Sequence, residues 1–154
     1  MTTPGREPDR PDSAPPARSP RQRLLLVEDN PADVLLFSEA VRETACALDV
    51  QIAPDGEAAL RALRANRDDP PDLVVLDLDL PRKTGIEVLD EIASEPALRA
   101  LPVVVLTTSG TEEDIRRCEQ RGIRRYARKP VHFSDLTALV VEFEALARQV
   151  DRRG

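Results

Sequence analysis

Residues 73–85 read LVVLDLDLPRKTG, and this stretch decides how the rest of the chain can fold. Its first four residues are apolar without alternation, which is typical of a short β-strand covered on both faces, as in a parallel sheet. The apolar run ends at Asp77, and Pro81 and Gly85 then mark a loop and the start of a helix. The stretch therefore predicts a buried parallel strand with a carboxylate at its carboxyl end.

The same strand–helix unit occurs five times along the chain. The eight prolines beyond residue 22 all fall at the ends of predicted elements, where they remove no interior hydrogen bond. The predicted strands cover 24–27, 48–53, 73–76, 102–106 and 123–127, and the predicted helices start at Asn30, Asp55, Gly85, Thr111 and Phe133. We therefore predict one α/β domain, a five-stranded, doubly wound parallel sheet.

Length and composition exclude several classes of protein. The chain has 154 residues and a formal charge of −6, which argues against a general nucleic-acid binder. It contains no apolar run near the roughly 18 residues of a membrane span, and its first 23 residues contain no signal peptide. Two cysteines, Cys46 and Cys118, are too few for a disulfide framework and indicate a reducing compartment. We expect a cytoplasmic protein without nucleic-acid or membrane partners.

The chain divides into a long folded region and two tails. Residues 1–22 hold six of the fourteen prolines and no Leu, Ile, Val or Phe, so they are predicted to be a disordered tail. Residues 23–150 are predicted to form the folded domain. Residues 151–154 are predicted to be a short C-terminal tail, too short for an output domain.

Polar side chains follow four of the predicted strands, at the edge where open parallel sheets bind ligands. They are Glu28, Asp29, Asp77, Asp79, Thr107 and Lys129. Clustered carboxylates repel one another, and a hard divalent cation such as Mg²⁺ relieves that repulsion. A carboxylate beside Mg²⁺ can attack phosphorus to form an aspartyl phosphate, whose oxygens a Lys ammonium and a Thr hydroxyl can then bind.

These motifs, in this order over residues 22–148, resemble the receiver domain of bacterial two-component response regulators, the CheY-like family. The resemblance implies the family's strand order, 2-1-3-4-5, and Mg²⁺ as cofactor. It implies a phosphoacceptor (Asp77), a phosphate-binding pair (Lys129 and Thr107), two switch residues (Thr107 and Tyr126) and metal ligands (Asp29, Asp77, the backbone carbonyl of Asp79, and Glu28 through water). It also implies that the side chains of Asp79 and Ser109 flank the path of the hydrolytic water, and that the peptide before Pro130 is cis.

Two further stretches resemble the single-domain regulators that are paired with phytochromes. They are VEDNPADVLLFSEAV at 27–41 and TTSGTEEDI at 107–115, and LDLDLPRKTGIEVL at 76–89, which overlaps the opening stretch, carries the same resemblance. This resemblance implies a phytochrome-type histidine kinase as partner and a homodimer formed through the fifth helix. It implies a signal carried by the face of the fourth helix, fifth strand and fifth helix to a downstream protein or phosphotransfer partner. Such a protein is not an enzyme, beyond catalysing its own phosphorylation and dephosphorylation.

Two alternatives remain open at this point. LVVLDLDL also resembles the first motif of haloacid-dehalogenase-type phosphatases, with Asp79 as general acid. Against this, Pro81 stands where that motif has Thr or Val, and the acidic pair lies upstream of Asp77 rather than beyond Lys129. The other alternative is a receiver fold used only for binding, which the intact set of site residues opposes.

The two residues directly before Gly85 are predicted to be ordinary loop residues. Lys83 is expected to be a solvated loop charge. Thr84 stands where the family most often has Asp, and it is expected to be a tolerant loop position.

Overall fold

The computed structural model describes residues 21–153, and the side chains of residues 21–149. The predicted N-terminal tail thus falls almost entirely outside the described residues. Strands and helices alternate throughout, in the order β1 (Gln22–Val27), α1 (Pro31–Thr44), β2 (Leu48–Ala53), α2 (Gly56–Ala65), β3 (Leu73–Leu76), α3 (Gly85–Ser94), β4 (Val103–Thr107), α4 (Glu112–Gln120), β5 (Arg125–Arg128) and α5 (Phe133–Arg153).

The five strands form one parallel sheet in the order β2-β1-β3-β4-β5, which confirms the predicted architecture. The register places the carboxyl ends of neighbouring strands side by side. Val27 of β1 pairs with Ala53 of β2 on one side and with Leu76 of β3 on the other. Side chains that follow β1 and β3 therefore emerge at the same edge of the sheet, as the sequence predicts.

The central strands β1, β3 and β4 are buried on both faces, and alternate residues of each strand point to opposite sides of the sheet. Leu25 and Val27 belong to the apolar cluster beneath α2, α3 and α4, whereas Leu24 and Leu26 belong to the cluster beneath α1 and α5. In the second cluster the rings of Phe37 and Phe143 stack with their centroids 6.5 Å apart and join α1 to α5. These two clusters explain the continuous apolar runs in the sequence.

The helices begin at side chains that satisfy their first backbone N–H groups. The carboxamide of Asn30 accepts a hydrogen bond from the N–H of Ala32 at 2.9 Å, which confirms the predicted start of α1. Thr84, which was expected to be a tolerant loop position, has a structural role instead. Its hydroxyl accepts from the N–H of Glu87, whose carboxylate accepts from the N–H of Thr84, forming a capping box at the start of α3.

Lys83 also differs from the sequence-based expectation. The ammonium of Lys83 is ion-paired with Glu91 of α3 and lies 3.9 Å from a carboxylate oxygen of Glu57, so it is not a freely solvated charge. Cys46 lies in the turn between α1 and β2. Both thiols are buried, and burial raises the pKa of Cys118 to about 11, which makes that thiol unreactive.

Gly85 allows the chain after Asp77 to pack tightly against the start of α3. Its N–H donates to the carbonyl oxygen of Leu78 at 3.0 Å. A Cβ atom at residue 85 would lie 2.5 Å from the carbonyl oxygen of Asp77 and 2.6 Å from the Cα of Leu78. Because both neighbours are backbone atoms, a larger residue would displace the loop that carries Asp77.

We predict that Gly85→Ala lowers the free energy of unfolding by about 1–3 kcal/mol, the typical cost of forcing an extra carbon into a packed site. Urea denaturation measures it. The control is Gly122→Ala, where φ is +80° and no atom approaches the added carbon. That control should lose only about 1 kcal/mol from backbone strain. If Gly85→Ala costs no more than the control, the close packing behind Asp77 is not a real constraint.

Candidate functional site

The alternation of the strands brings three charged side chains to one side of the sheet. Glu28 continues the face of β1 that carries Leu26, and Lys129 continues the face of β5 that carries Ala127. The Nζ atom of Lys129 lies 2.8 Å from Oε1 of Glu28 and 2.9 Å from Oδ2 of Asp77. The predicted meeting of Lys129 with the acidic residues is therefore present in the structure.

A third carboxylate, which the sequence did not single out, also binds Lys129. Oδ2 of Asp33 lies 2.7 Å from the Nζ of Lys129. Asp33 is in the first turn of α1, where the helix dipole favours a negative charge. A signal was present in the Asn-Pro-Ala-Asp segment after the acidic pair, but only the position of α1 over the end of β5 reveals which group Asp33 meets.

Three of the acidic residues can together hold a metal ion. Glu28, Asp29 and Asp77 each offer a carboxylate oxygen, and these oxygens lie within 4.8 Å of one another. Glu28 and Asp77 are buried, and Asp29 is exposed at the mouth of the site. All the donors are hard anionic oxygens, so the group fits the ligand preference of Mg²⁺ or a similar divalent cation.

Burial and hydrogen bonding act in opposite directions on the charges of this site. Burial raises the pKa of Glu28 from 4.5 to about 6, although the hydrogen bond with Lys129 lowers it. Burial also disfavours the charged form of Lys129, but its hydrogen bonds to Asp33, Glu28 and Asp77 outweigh that effect and raise the pKa of Lys129. Lys129 therefore stays charged at neutral pH and offsets part of the repulsion among the carboxylates.

Two hydroxyl groups at the carboxyl end of β4 face Asp79. Thr107 is fully buried, and its hydroxyl lies 3.4 Å from Oδ2 of Asp79. The hydroxyl of Thr108 lies 3.2 Å from the same oxygen. The backbone N–H of Asp79 donates to Oδ1 of Asp77 at 3.1 Å. Asp79 therefore links the predicted phosphoacceptor, Asp77, to the end of β4. Thr108, which the sequence did not single out, is a further residue of the site because it contacts Asp79.

Tyr126 is attached to the loop between β4 and α4. Its hydroxyl donates to the carbonyl oxygen of Ser109 at 2.8 Å, and its ring packs against the apolar cluster beneath α2, α3 and α4. The hydroxyl of Ser109 donates to a carboxylate oxygen of Asp114 in the first turn of α4. Ser109 is therefore hydrogen-bonded to α4 in this structure, whereas Asp79 accepts from Thr107 and Thr108.

The expected cis peptide before Pro130 is wrong. None of the peptide bonds within residues 21–153 is cis. The trans isomer is the intrinsically favoured form of an X–Pro bond. On the other side of Lys129, its N–H donates to the carbonyl oxygen of Thr107 at 2.8 Å, which extends the β4–β5 pairing up to Lys129.

The geometry agrees with a family match. The response regulator receiver domain matches residues 24–141 of the chain. The chain belongs to the response regulator receiver family. Membership favours the receiver interpretation over the haloacid-dehalogenase-like alternative, because the matched region includes the whole cluster at the carboxyl edge of the sheet.

Two curated relatives match this receiver over most of their own length. It is 37% identical to the response regulator Rcp1 of Synechocystis sp. (strain PCC 6803) over 131 residues, covering 82% of this chain and 89% of that protein. It is 40% identical to the probable methanogenesis regulatory protein FilR2 of Methanothrix harundinacea over 124 residues, covering 79% of this chain and 80% of that one.

Solved structures of response regulators share the fold of this receiver. The phosphorylated cyanobacterial phytochrome response regulator RcpA matches with a TM-score of 0.73 and 40% identity, covering 80% of this chain and 91% of that one. Mn²⁺-bound Rcp1 matches with a TM-score of 0.71, covering 80% of this chain and 92% of that one.

Within residues 21–153, every helix is too short or too polar to cross a bilayer.

The raised pKa of Glu28 predicts a pH dependence of stability in the metal-free protein. Between about pH 4.5 and 6, the unfolded chain has released the Glu28 proton while the folded protein retains it. By linkage, Glu28 then lowers the free energy of unfolding as pH rises through that window. As pH rises through this window, the free energy of unfolding of the wild type should therefore fall relative to that of Glu28→Gln. Urea denaturation with a chelator present measures both.

Glu39→Gln is the matched control. Glu39 lies in α1, on the same side of the sheet as Glu28, but it pairs with Arg42 at the protein surface. It reports the effect of removing a surface carboxylate. If the Glu28→Gln difference follows the Glu39→Gln difference at every pH, burial does not raise the pKa of Glu28.

Proposed function

We propose that this receiver accepts a phosphoryl group from a histidine kinase onto Asp77. The observation that carries the proposal is the pairing of Asp77 with Lys129: Oδ2 of a buried carboxylate lies 2.9 Å from an ammonium at the carboxyl edge of the sheet. Lys129 faces Asp77 directly. Asp77 also lies among groups that can bind the oxygens of a transferred phosphoryl group.

In the proposed reaction, an oxygen of Asp77 attacks the phosphorus of a phosphohistidine. The O–P bond forms as the P–N bond breaks, and the imidazole nitrogen keeps the electron pair and takes a proton. Lys129 binds one phosphoryl oxygen through its ammonium, and Thr107 donates its hydroxyl to another. Hydrolysis later breaks the O–P bond and regenerates Asp77, so the chain catalyses only its own phosphorylation and dephosphorylation.

The proposed cofactor is Mg²⁺, held by Asp29, Asp77, the backbone carbonyl of Asp79 and, through water, Glu28. When bound, Mg²⁺ supplies positive charge that neutralises a phosphoryl oxygen. Support comes from the carboxylate oxygens of the acidic group, which converge in this structure, and from the Mn²⁺-bound structure of the relative Rcp1. The side chains of Asp79 and Ser109 are proposed to flank the path of the hydrolytic water.

The proposed output is a switch of the face formed by α4, β5 and α5. Thr107 moves toward the phosphoryl group, and Tyr126 turns into the space that Thr107 leaves. The hydrogen bond from the Tyr126 hydroxyl to the Ser109 carbonyl supports this coupling, because a shift of the β4–α4 loop must break or move it. The switch is thus a local change of charge that biases a two-state element.

The proposed partners follow from the relatives. A phytochrome-type histidine kinase is proposed as phosphodonor, because the similar protein RcpA is a cyanobacterial phytochrome response regulator. A downstream protein or phosphotransfer partner receives the signal, and the setting is proposed to be cytoplasmic. A homodimer through α5 is also proposed, supported by Val141 of α5, an apolar side chain that is 50% exposed.

Phosphorylation can be tested by incubating the protein with Mg²⁺ and acetyl phosphate and then weighing it by intact-mass spectrometry. We expect the wild type to gain the mass of one phosphoryl group and Asp77→Asn to gain none, because the amide is not a nucleophile toward phosphorus. Asp69→Asn is the matched control, since Asp69 pairs with Arg23 on the protein surface near the opposite end of β3.

Equal labelling of Asp77→Asn and the wild type would show that Asp77 is not the acceptor. Absence of label from the wild type, with both this donor and a phosphorylated histidine kinase, would favour a receiver fold used only for binding.

The dimer can be tested by light scattering across micromolar concentrations. We expect the wild type to show the mass of two chains and Val141→Glu to shift toward one, because the new charge faces the proposed interface. Val131→Glu is the control, since Val131 is 94% exposed but precedes α5. A mass of one chain for the wild type at every concentration would contradict the dimer.

A further inference from the structure

Asp33 is a charged residue of the site to which neither the family resemblance nor the proposed chemistry assigns a task. An ammonium has three N–H donors, and in this structure Lys129 has three carboxylate partners for them. Its Nζ lies 2.7 Å from Asp33, 2.8 Å from Glu28 and 2.9 Å from Asp77. Asp33 thus occupies one donor of the only lysine in the site.

The three partners of Lys129 are not equivalent. Glu28 and Asp77 belong to the group whose oxygens can hold a cation, whereas Asp33 does not. Their side chains are each only 4% exposed, while that of Asp33 is 31% exposed. Asp33 therefore lies on the rim of the site, on the α1 side, and it can hold Lys129 without serving the cation.

Lys129 and a divalent cation compete for the same carboxylates. While Lys129 is hydrogen-bonded to Glu28 and Asp77, those oxygens are partly occupied, and a cation must draw them away. Asp33 offers Lys129 a carboxylate that the cation does not need. Lys129 can then lose its bonds to Glu28 and Asp77 without becoming an unpaired ammonium, 15% exposed, in the site.

We propose that Asp33 is a positioning residue that holds Lys129 at the rim and so leaves Glu28 and Asp77 free to bind a divalent cation. The inference rests on the proposed function, because it assumes that this site takes Mg²⁺. Without Asp33, Lys129 stays on Glu28 and Asp77 and weakens cation binding. Asp33 therefore acts on the cation through Lys129 and not as a ligand.

The local structure supports Asp33 in this position. Asn30 caps the N–H of Ala32, and the helical hydrogen bond from Val34 to the carbonyl of Asn30 fixes the first turn of α1. The packing of Phe37 against Phe143 then holds α1 beside α5. Among the described residues, the Asp33 carboxylate is used neither as the cap of α1 nor in a surface ion pair with arginine, and it is bonded to Lys129.

The test is a double-mutant cycle on Mg²⁺ affinity, measured by calorimetric titration of the full chain. Asp33→Asn should weaken Mg²⁺ binding about tenfold, as is typical when a group that orients the residues around a metal is removed. In a Lys129→Met background, the loss of Mg²⁺ affinity caused by Asp33→Asn should be smaller by a factor of about three or more, because Asp33 then has no lysine to hold. Lys129→Met alone should bind Mg²⁺ more tightly than the wild type.

A second readout follows from the composition, because Lys83 and Lys129 are the only lysines of the chain. With lysine-selective ¹⁵N and ¹³C labelling, Mg²⁺ should shift the side-chain signal of Lys129 and leave that of Lys83, which is paired with Glu91 on α3, unchanged. In Asp33→Asn the Lys129 signal should differ before Mg²⁺ is added, and its response should need a higher Mg²⁺ concentration. Thermal unfolding in chelator checks that each variant is folded.

Two outcomes would overturn the proposal. One is an unchanged Mg²⁺ affinity of Asp33→Asn. The other is an equal loss of affinity with and without Lys129, which would mean that Asp33 acts only as a nearby negative charge. If the wild type binds no Mg²⁺ at all, the proposed function fails first, so the two failures are distinguishable.

Discussion

The ammonium of Lys129 is the positive charge on which the arrangement at the carboxyl edge of the sheet depends. Three carboxylates lie within hydrogen-bonding distance of it, from β1, from α1 and from the end of β3. Glu28 and Asp77 are buried there, and without a cation between them their repulsion would oppose the close approach of β1 and β3. Lys129 thus makes an anionic site compatible with a folded, buried setting.

The sheet makes this concentration of charge possible. Parallel strands in level register end together, so that residues following β1, β3, β4 and β5 meet although they are far apart in sequence. The alternation of side chains then separates them by face. Glu28 and Lys129 lie on the α1 and α5 side. Tyr126 packs on the other side, against the apolar cluster beneath α2, α3 and α4. The anionic site and the Tyr126 ring therefore lie on opposite faces of the same sheet.

Most of the fold and part of the site could be predicted, because they depend on local patterns. Apolar runs, helix caps and proline positions specify the five strand–helix units, and the strand ends specify Glu28, Asp77, Thr107 and Lys129. What escaped prediction depends on how distant elements dock. Asp33 meets Lys129 only because α1 packs beside α5, and Lys83 meets Glu91 only because the loop before α3 turns back on that helix. The capping role of Thr84 could have been read from Glu87 three residues later.

Lys129 holds the buried carboxylates together when no divalent cation is bound. The free energies of unfolding of the wild type and Lys129→Met, measured near pH 8 first with chelator and then with saturating Mg²⁺, test it most directly. With chelator, Lys129→Met should be less stable by about 3 kcal/mol, because buried carboxylates lose their counter-charge. With Mg²⁺ the gap should narrow, since the cation stabilises the variant more. Equal stability of the two proteins in chelator would contradict the account.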